Sequence, residues 1–161
     1  MKGKENDYEK AKKYSKLMKE GKISSAKKIN LHGVDLRNID FEGFNLSGAN
    51  LSSADLHGAF LNGVNLNGAN LRDANLKGAS LTDARLKGAN LCNADLRNAD
   101  LSFANLSYVN FRGAKLNGAD IRSTNLKGAN LIGAFIKGAD FARANINGVI
   151  VAHGTVLESI G

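Results

Sequence analysis

From Leu31 to Val151 an apolar residue recurs at every fifth position, without insertion or deletion. These 25 positions hold 18 Leu, three Phe, three Ile and one Val. A period of five fits neither a helix, at about 3.6 residues per turn, nor a flat strand, at about two. A helix would scatter the apolar residues around its circumference, and a strand would throw alternate ones to opposite faces. The chain must therefore turn a corner within each unit. Two residues before each apolar centre runs a second column, from Ile29 to Val149, with 17 Ala and otherwise Val, Ile, Phe44 and Thr124. The residue just before each centre is Asn or Asp at 19 of 25 places, and the second residue after it is Gly at 14 of 25.

Each column has a physical reading. The centre and the small residue two before it point inward, Leu filling the interior and Ala fitting where backbones crowd, while the other three residues face water. Gly two after the centre suits the third position of a type II turn, which needs a positive φ. Asn or Asp before the centre can hydrogen-bond nearby backbone or stack into ladders. If each unit is one extended piece plus one corner, four units close a square coil. The period alone sets neither the number of sides nor the hand.

Units such as Ala49-Asn50-Leu51, Ala89-Asn90-Leu91 and Ala129-Asn130-Leu131 resemble the A(D/N)LXX motif of the pentapeptide-repeat family, and the resemblance covers residues 29–151. It implies an all-β solenoid: a right-handed quadrilateral β-helix of about six coils, roughly 29 Å long at ~4.8 Å per coil. It also implies an N-terminal capping helix, and members that dimerise commonly do so through their C-terminal ends.

Three regions follow: a Lys-rich segment at 1–28, the repeat at 29–151 and a tail at 152–161. The net charge of +7 is unevenly held. The first segment has ten Lys and four acidic residues, whereas the remainder has 12 basic and 11 acidic groups. Within residues 5–20, Tyr8, Ala11, Tyr14, Leu17 and Met18 recur at helical spacing, with Asn6 or Asp7 to cap the start and Gly21 after the end. This reads as a lid over the first open edge, since exposed edges aggregate. The tail, with Val156, Leu157 and Ile160, reads as a cover for the last coil or a contact with another molecule. No apolar run is long enough to cross a membrane, no apolar stretch follows the N-terminal lysines, and Cys92 is the one cysteine. The expectation is a cytoplasmic protein.

Nothing in the sequence assembles catalytic chemistry. His32, His57 and His153 fall on different columns, and Cys92 makes no zinc spacing with them. The expectation is a non-enzyme with no cofactor, metal or small-molecule substrate, binding a protein partner. Taking residues 20 apart as stacked, Arg37, His57, Lys77, Arg97 and Lys137 form a basic stripe, read as an ordinary solvated surface. Asp100 and Asp140 lie three residues on from Arg97 and Lys137 and are expected to neutralise them. Phe60 and Phe135 replace Asn or Asp, and Ile132 is outward by phase. Phe103 and Tyr108 occupy the usual Gly position on adjacent corners. Exposed aromatics favour contact surfaces, so the candidates are Phe103 with Tyr108, and Ile132 with Phe135 and Leu157. The second group, beside the tail, suits a C-terminal homodimer.

Two further functions compete with this reading. Some members of the family mimic DNA and bind DNA gyrase or topoisomerase IV, which calls for an acidic rod, and this near-neutral body argues against gyrase. The Lys-rich N-terminus offers association with nucleic acid or membrane.

Overall fold

The structure is a computed structural model that describes residues 29–152 together with Glu9, Lys13, Lys16, Leu17 and Glu20. Each pentapeptide turns one corner. At the first, the amide of Val34 donates to the carbonyl of Leu31 at 3.3 Å, and Gly33 between them has φ +66°. The same positive φ recurs at every fifth residue to Gly148, as a type II turn requires, whether or not the residue is Gly. At Thr124, an inward position, the side-chain hydroxyl donates to the carbonyl of Ile121 at 2.8 Å, which satisfies a polar group that is otherwise buried.

Between corners, one residue per unit pairs in parallel with the residue 20 positions on, from Asn30↔Asn50 to Asn130↔Ile150. A register of 20 is four pentapeptides, so each coil has four faces. Flanking bonds tie the coils together: Leu31 N–H to Asn50 O at 2.7 Å, Asn50 N–H to Ile29 O at 2.9 Å and Gly33 N–H to Ser52 O at 2.9 Å. Each face is one bridged residue wide, so the sheets are ladders of single rungs.

The two inward columns form one continuous core. Leu36, Leu66, Leu91, Leu106 and Phe111 are fully buried, as is the Ala column between them. Each buried Leu contributes about 1.5–3 kcal/mol relative to exposure, and the Ala methyls let adjacent backbones approach. The outward reading holds for most of the other positions. Ser102 and Ser107 are exceptions: outward by phase, they are nonetheless buried beside the two aromatic corners. In the last coil Ile136, Ile146, Val149 and Val151 pack on the core but are only partly buried, unlike Leu31, Val34 and Leu36 in the first.

Of the expected lid, Glu9, Lys13, Lys16 and Leu17 are helical, Leu17 is half-buried, and the amide of Glu20 donates to the carbonyl of Lys16 at 3.0 Å. The other lid residues, and the tail with Leu157, lie outside the described residues.

Candidate interaction surfaces

The four faces are numbered in chain order, each carrying two outward columns. The first holds Asn30 and His32 with their counterparts every 20 residues, the second Asp35 and Arg37, the third Asp40 and Glu42, the fourth Asn45 and Ser47. The corner residues of positive φ form the edges between them.

Every Asn or Asp that precedes a centre makes the same local bond. Its Oδ1 accepts the amide two residues on, at 2.9–3.3 Å, from Asn30 with His32 to Asn145 with Asn147. The short side chain caps the first amide of the coming turn. At two of the six departures from Asn or Asp a neighbouring coil substitutes: Asn62 Oδ1 accepts the amide of Thr82 above Ser80, and Asn67 Oδ1 that of Lys87 above Arg85. The first face also stacks its amides into a ladder, with Nδ2 of Asn50, Asn70, Asn90 and Asn110 each donating to Oδ1 of the Asn one coil below, at 3.1–3.5 Å.

Charge pairing corrects one expectation. Arg97 does not meet Asp100; it forks onto Asp95, with its Nε and Nη2 donating at 2.8 and 2.6 Å. Arg37 holds Asp35 in the same way and reaches Asp55 at 3.7 Å. Arg122 binds Asp120 and comes within 3.7 Å of Asp140, the carboxylate expected for Lys137. The reason is the square cross-section. Residues two apart flank one inward centre and share a face, whereas residues three apart lie around a corner. The arginine bonds hold the carboxyls of Asp95 and Asp120 below their ordinary range, and Arg37 lowers that of Asp35 to about 2. Arg37, Arg97 and Arg122 are correspondingly raised.

The basic stripe of Arg37, His57, Lys77, Arg97 and Lys137 does line up on the second face, but Asp35, Asp55 and Asp95 stand beside it. The aromatic candidates are well exposed: Phe103 at 63%, Tyr108 at 55% and Phe135 at 58%, with Ile132 at 37%. Phe103 and Tyr108 bound opposite edges of the fourth face in a single coil. Ile132 and Phe135 flank the edge between the first and second faces in the next coil but one. Phe60 is exposed by itself on the third face.

Sequence reasoning missed the distribution of acids. Between residues 29 and 152, every Asp and Glu lies on the second or third face or on an edge bordering one of them. The third carries Asp40, Glu42, Asp100, Asp120 and Asp140 against the single base Arg122. The first and fourth faces, and the edge of glycines plus Tyr108 that joins them, have no acidic residue, while the fourth carries Arg85, Lys87 and Lys127. Listing each column by its own charge would have found this; the near-zero total concealed it. Among the described residues no group of three or more His, Cys, Asp or Glu side chains is placed to hold a metal.

A family model described as pentapeptide repeats matches residues 29–68, 61–98, 84–122, 94–131 and 119–151. Among solved structures, Rfr23, a pentapeptide repeat protein from the cyanobacterium Cyanothece 51142, is 31% identical, over 80% of this chain and 87% of its own, with a TM-score of 0.49. HetL, a pentapeptide repeat protein involved in heterocyst differentiation regulation from the cyanobacterium Nostoc sp. strain PCC 7120, is 29% identical, over 81% and 75%, with a TM-score of 0.46. Trypsin-treated QnrB1, a plasmid-mediated fluoroquinolone resistance protein, is 19% identical, over 79% and 88%, with a TM-score of 0.41. No curated protein sequence matches. With its repeat matched from residue 29 to residue 151, the chain belongs to the pentapeptide-repeat family.

Proposed function

We propose that the protein is a non-catalytic, rigid scaffold for protein–protein recognition. The observation that carries this reading is that aromatic side chains stand in water on a rod whose inward positions are already filled: Phe103, Tyr108 and Phe135 are each more than half exposed. A stacked ladder holds them at fixed spacing, so a partner would lose little entropy in meeting them. A photo-crosslinking amino acid at position 103, 108 or 135 is expected to yield discrete adducts with one protein in cells. Position 60, the lone Phe of the third face, is the control. Equal, diffuse labelling from all four positions would refute the scaffold reading. A single cysteine suits a reducing, cytoplasmic setting for such a partner.

The last coil supports a second contact. Ile136, Ile146, Val149 and Val151 remain partly exposed at the C-terminal edge, near Phe135 and Ile132. They favour a homodimer through this end, with the Lys-rich segments outermost. Light scattering of the wild type and of a Phe135→Asp, Leu157→Asp double variant tests it: a wild-type dimer that survives both changes places the contact elsewhere. DNA mimicry toward gyrase is less well supported. The acidic groups occupy one face of four strongly, and there Arg122 engages Asp120 and Asp140. The expected result of a supercoiling assay is no inhibition; inhibition that salt weakens would promote this reading. The lysines of residues 1–28 keep nucleic-acid or membrane association as a further alternative, tested by removing that segment.

A further inference from the structure

We propose that the fourth face, bounded by the aromatic corners Phe103 and Tyr108, docks an acidic segment of a partner protein. This rests on the scaffold reading above and names the chemistry of its partner. Two observations converge on the face. The first is charge: Arg85, Lys87 and Lys127 are exposed on it, its two outward columns contain no Asp or Glu, and the adjoining first face contains none either. Among the described residues none of these three cations is in an ion pair, in contrast to Arg37, Arg97 and Arg122.

The second is backbone conformation. Phe103 and Tyr108 hold φ of +60° and +58°, at corners where Gly is the usual occupant. A bulky side chain there is strained, and with most of each ring in water the fold recovers little by burial. Tyr108 nonetheless packs against the rod on one side. Its ring lies against Gly128 of the next coil, so closely that a Cβ built on that glycine would fall 2.7 Å from two ring carbons. An exposed aromatic restrained on one side costs less entropy on binding.

The groove of about 470 Å³ beside Phe103 opens onto the acidic third face, among Ser102, Arg122 and Ala142, and is not part of this surface. Asp83 and Arg143 both stand on the edge shared with that face. A carboxylate next to an apolar side chain matches the exposed cations and rings of the fourth face. A nucleic acid fits less well. A duplex presents a charge about every 1.7 Å of its axis, whereas the three cations here are spread over several coils.

The test uses a phage-displayed random dodecapeptide library, panned on the intact protein. Enriched peptides are expected to be rich in Asp and Glu, with at least one apolar residue, and to weaken with added salt. Their affinity should fall about tenfold or more in Arg85→Glu/Lys127→Glu and in Phe103→Gly/Tyr108→Gly. It should be unchanged in Lys77→Glu/Lys115→Glu, which alters the second face. All these positions are outward, and the glycine pair relieves strain, so matching melting curves guard against misfolding. Acidic peptides that bind the fourth-face variants as well as wild type would overturn the proposal while leaving the scaffold reading intact. Failure to enrich any peptide would count against both. A single-stranded thymidine oligonucleotide bound more tightly than the best peptide would assign the face to nucleic acid and overturn it equally.

Discussion

Gly88 and Gly128 occupy the same edge of the rod at the same backbone angle, φ +67°, yet their surroundings differ. A methyl on Gly88 meets nothing within 4 Å, whereas one on Gly128 strikes the ring of Tyr108. Replacing either by Ala therefore costs the same left-handed penalty, about 1–2 kcal/mol. Gly128→Ala should lose more than that, because the ring must also move. Denaturant titration checks it in the Tyr108→Gly background, where Gly128→Ala should cost only as much as Gly88→Ala costs in the wild type. Equal losses in the two single variants would show that the ring does not press on Gly128. The Asn ladder allows a second test at this scale. Asn70 accepts the amide of Arg72 at 3.2 Å and joins Asn50 and Asn90 at 3.4 Å. Asn70→Ala should cost about 1 kcal/mol, read by the same titration.

At the scale of the coil, an outward and an inward position only four residues apart have opposite tolerances. Leu91 is fully buried in the centre column and Lys87 is exposed. Leu91→Arg removes about 1.5–3 kcal/mol of apolar burial and leaves a charge without a partner, which costs several kcal/mol more. The variant is expected not to fold, while Lys87→Arg should melt like the wild type. Because each coil rests on the next through backbone bonds along all four faces, the damage should propagate along the rod. A Leu91→Arg protein with a normal thermal melt would disprove the inward assignment.

For the whole molecule, the forks of Arg37, Arg97 and Arg122 onto the carboxylates two residues before them are expected to shape the response to acid. Asp35, Asp95 and Asp120 have folded pKa values below the unfolded value of about 3.9. Their stabilisation is therefore complete above that pH and is lost as pH falls through the folded values, with Asp35 at about 2. The melting temperature should be flat near neutrality and decline below about pH 4. Arg97→Gln and Arg122→Gln should each lower the neutral plateau slightly and shrink the acid-induced drop, since solvent screens exposed pairs. A decline of equal size in the variants would trace the acid response to other groups.

The inward columns, the corners and the exposure of Phe103, Tyr108, Ile132 and Phe135 were legible from sequence, because a five-residue unit sets its own phase. Whether a side chain faces core or water follows from its place within the unit, and the units repeat the answer except at Ser102 and Ser107. Even the left-handed corners followed from the recurrent Gly, although Phe103, Tyr108 and Arg143 occupy them without being Gly. What the tertiary structure alone decided is which outward groups meet. Arg97 chose Asp95 over Asp100 because a corner separates residues three apart and not residues two apart. The acid-free faces arose in the same way. Arg85, Lys87 and Lys127 are unremarkable in the linear chain and became one surface when closure of the coil placed residues 20 apart in register. Inward packing is settled within one unit, whereas surface chemistry is settled between coils.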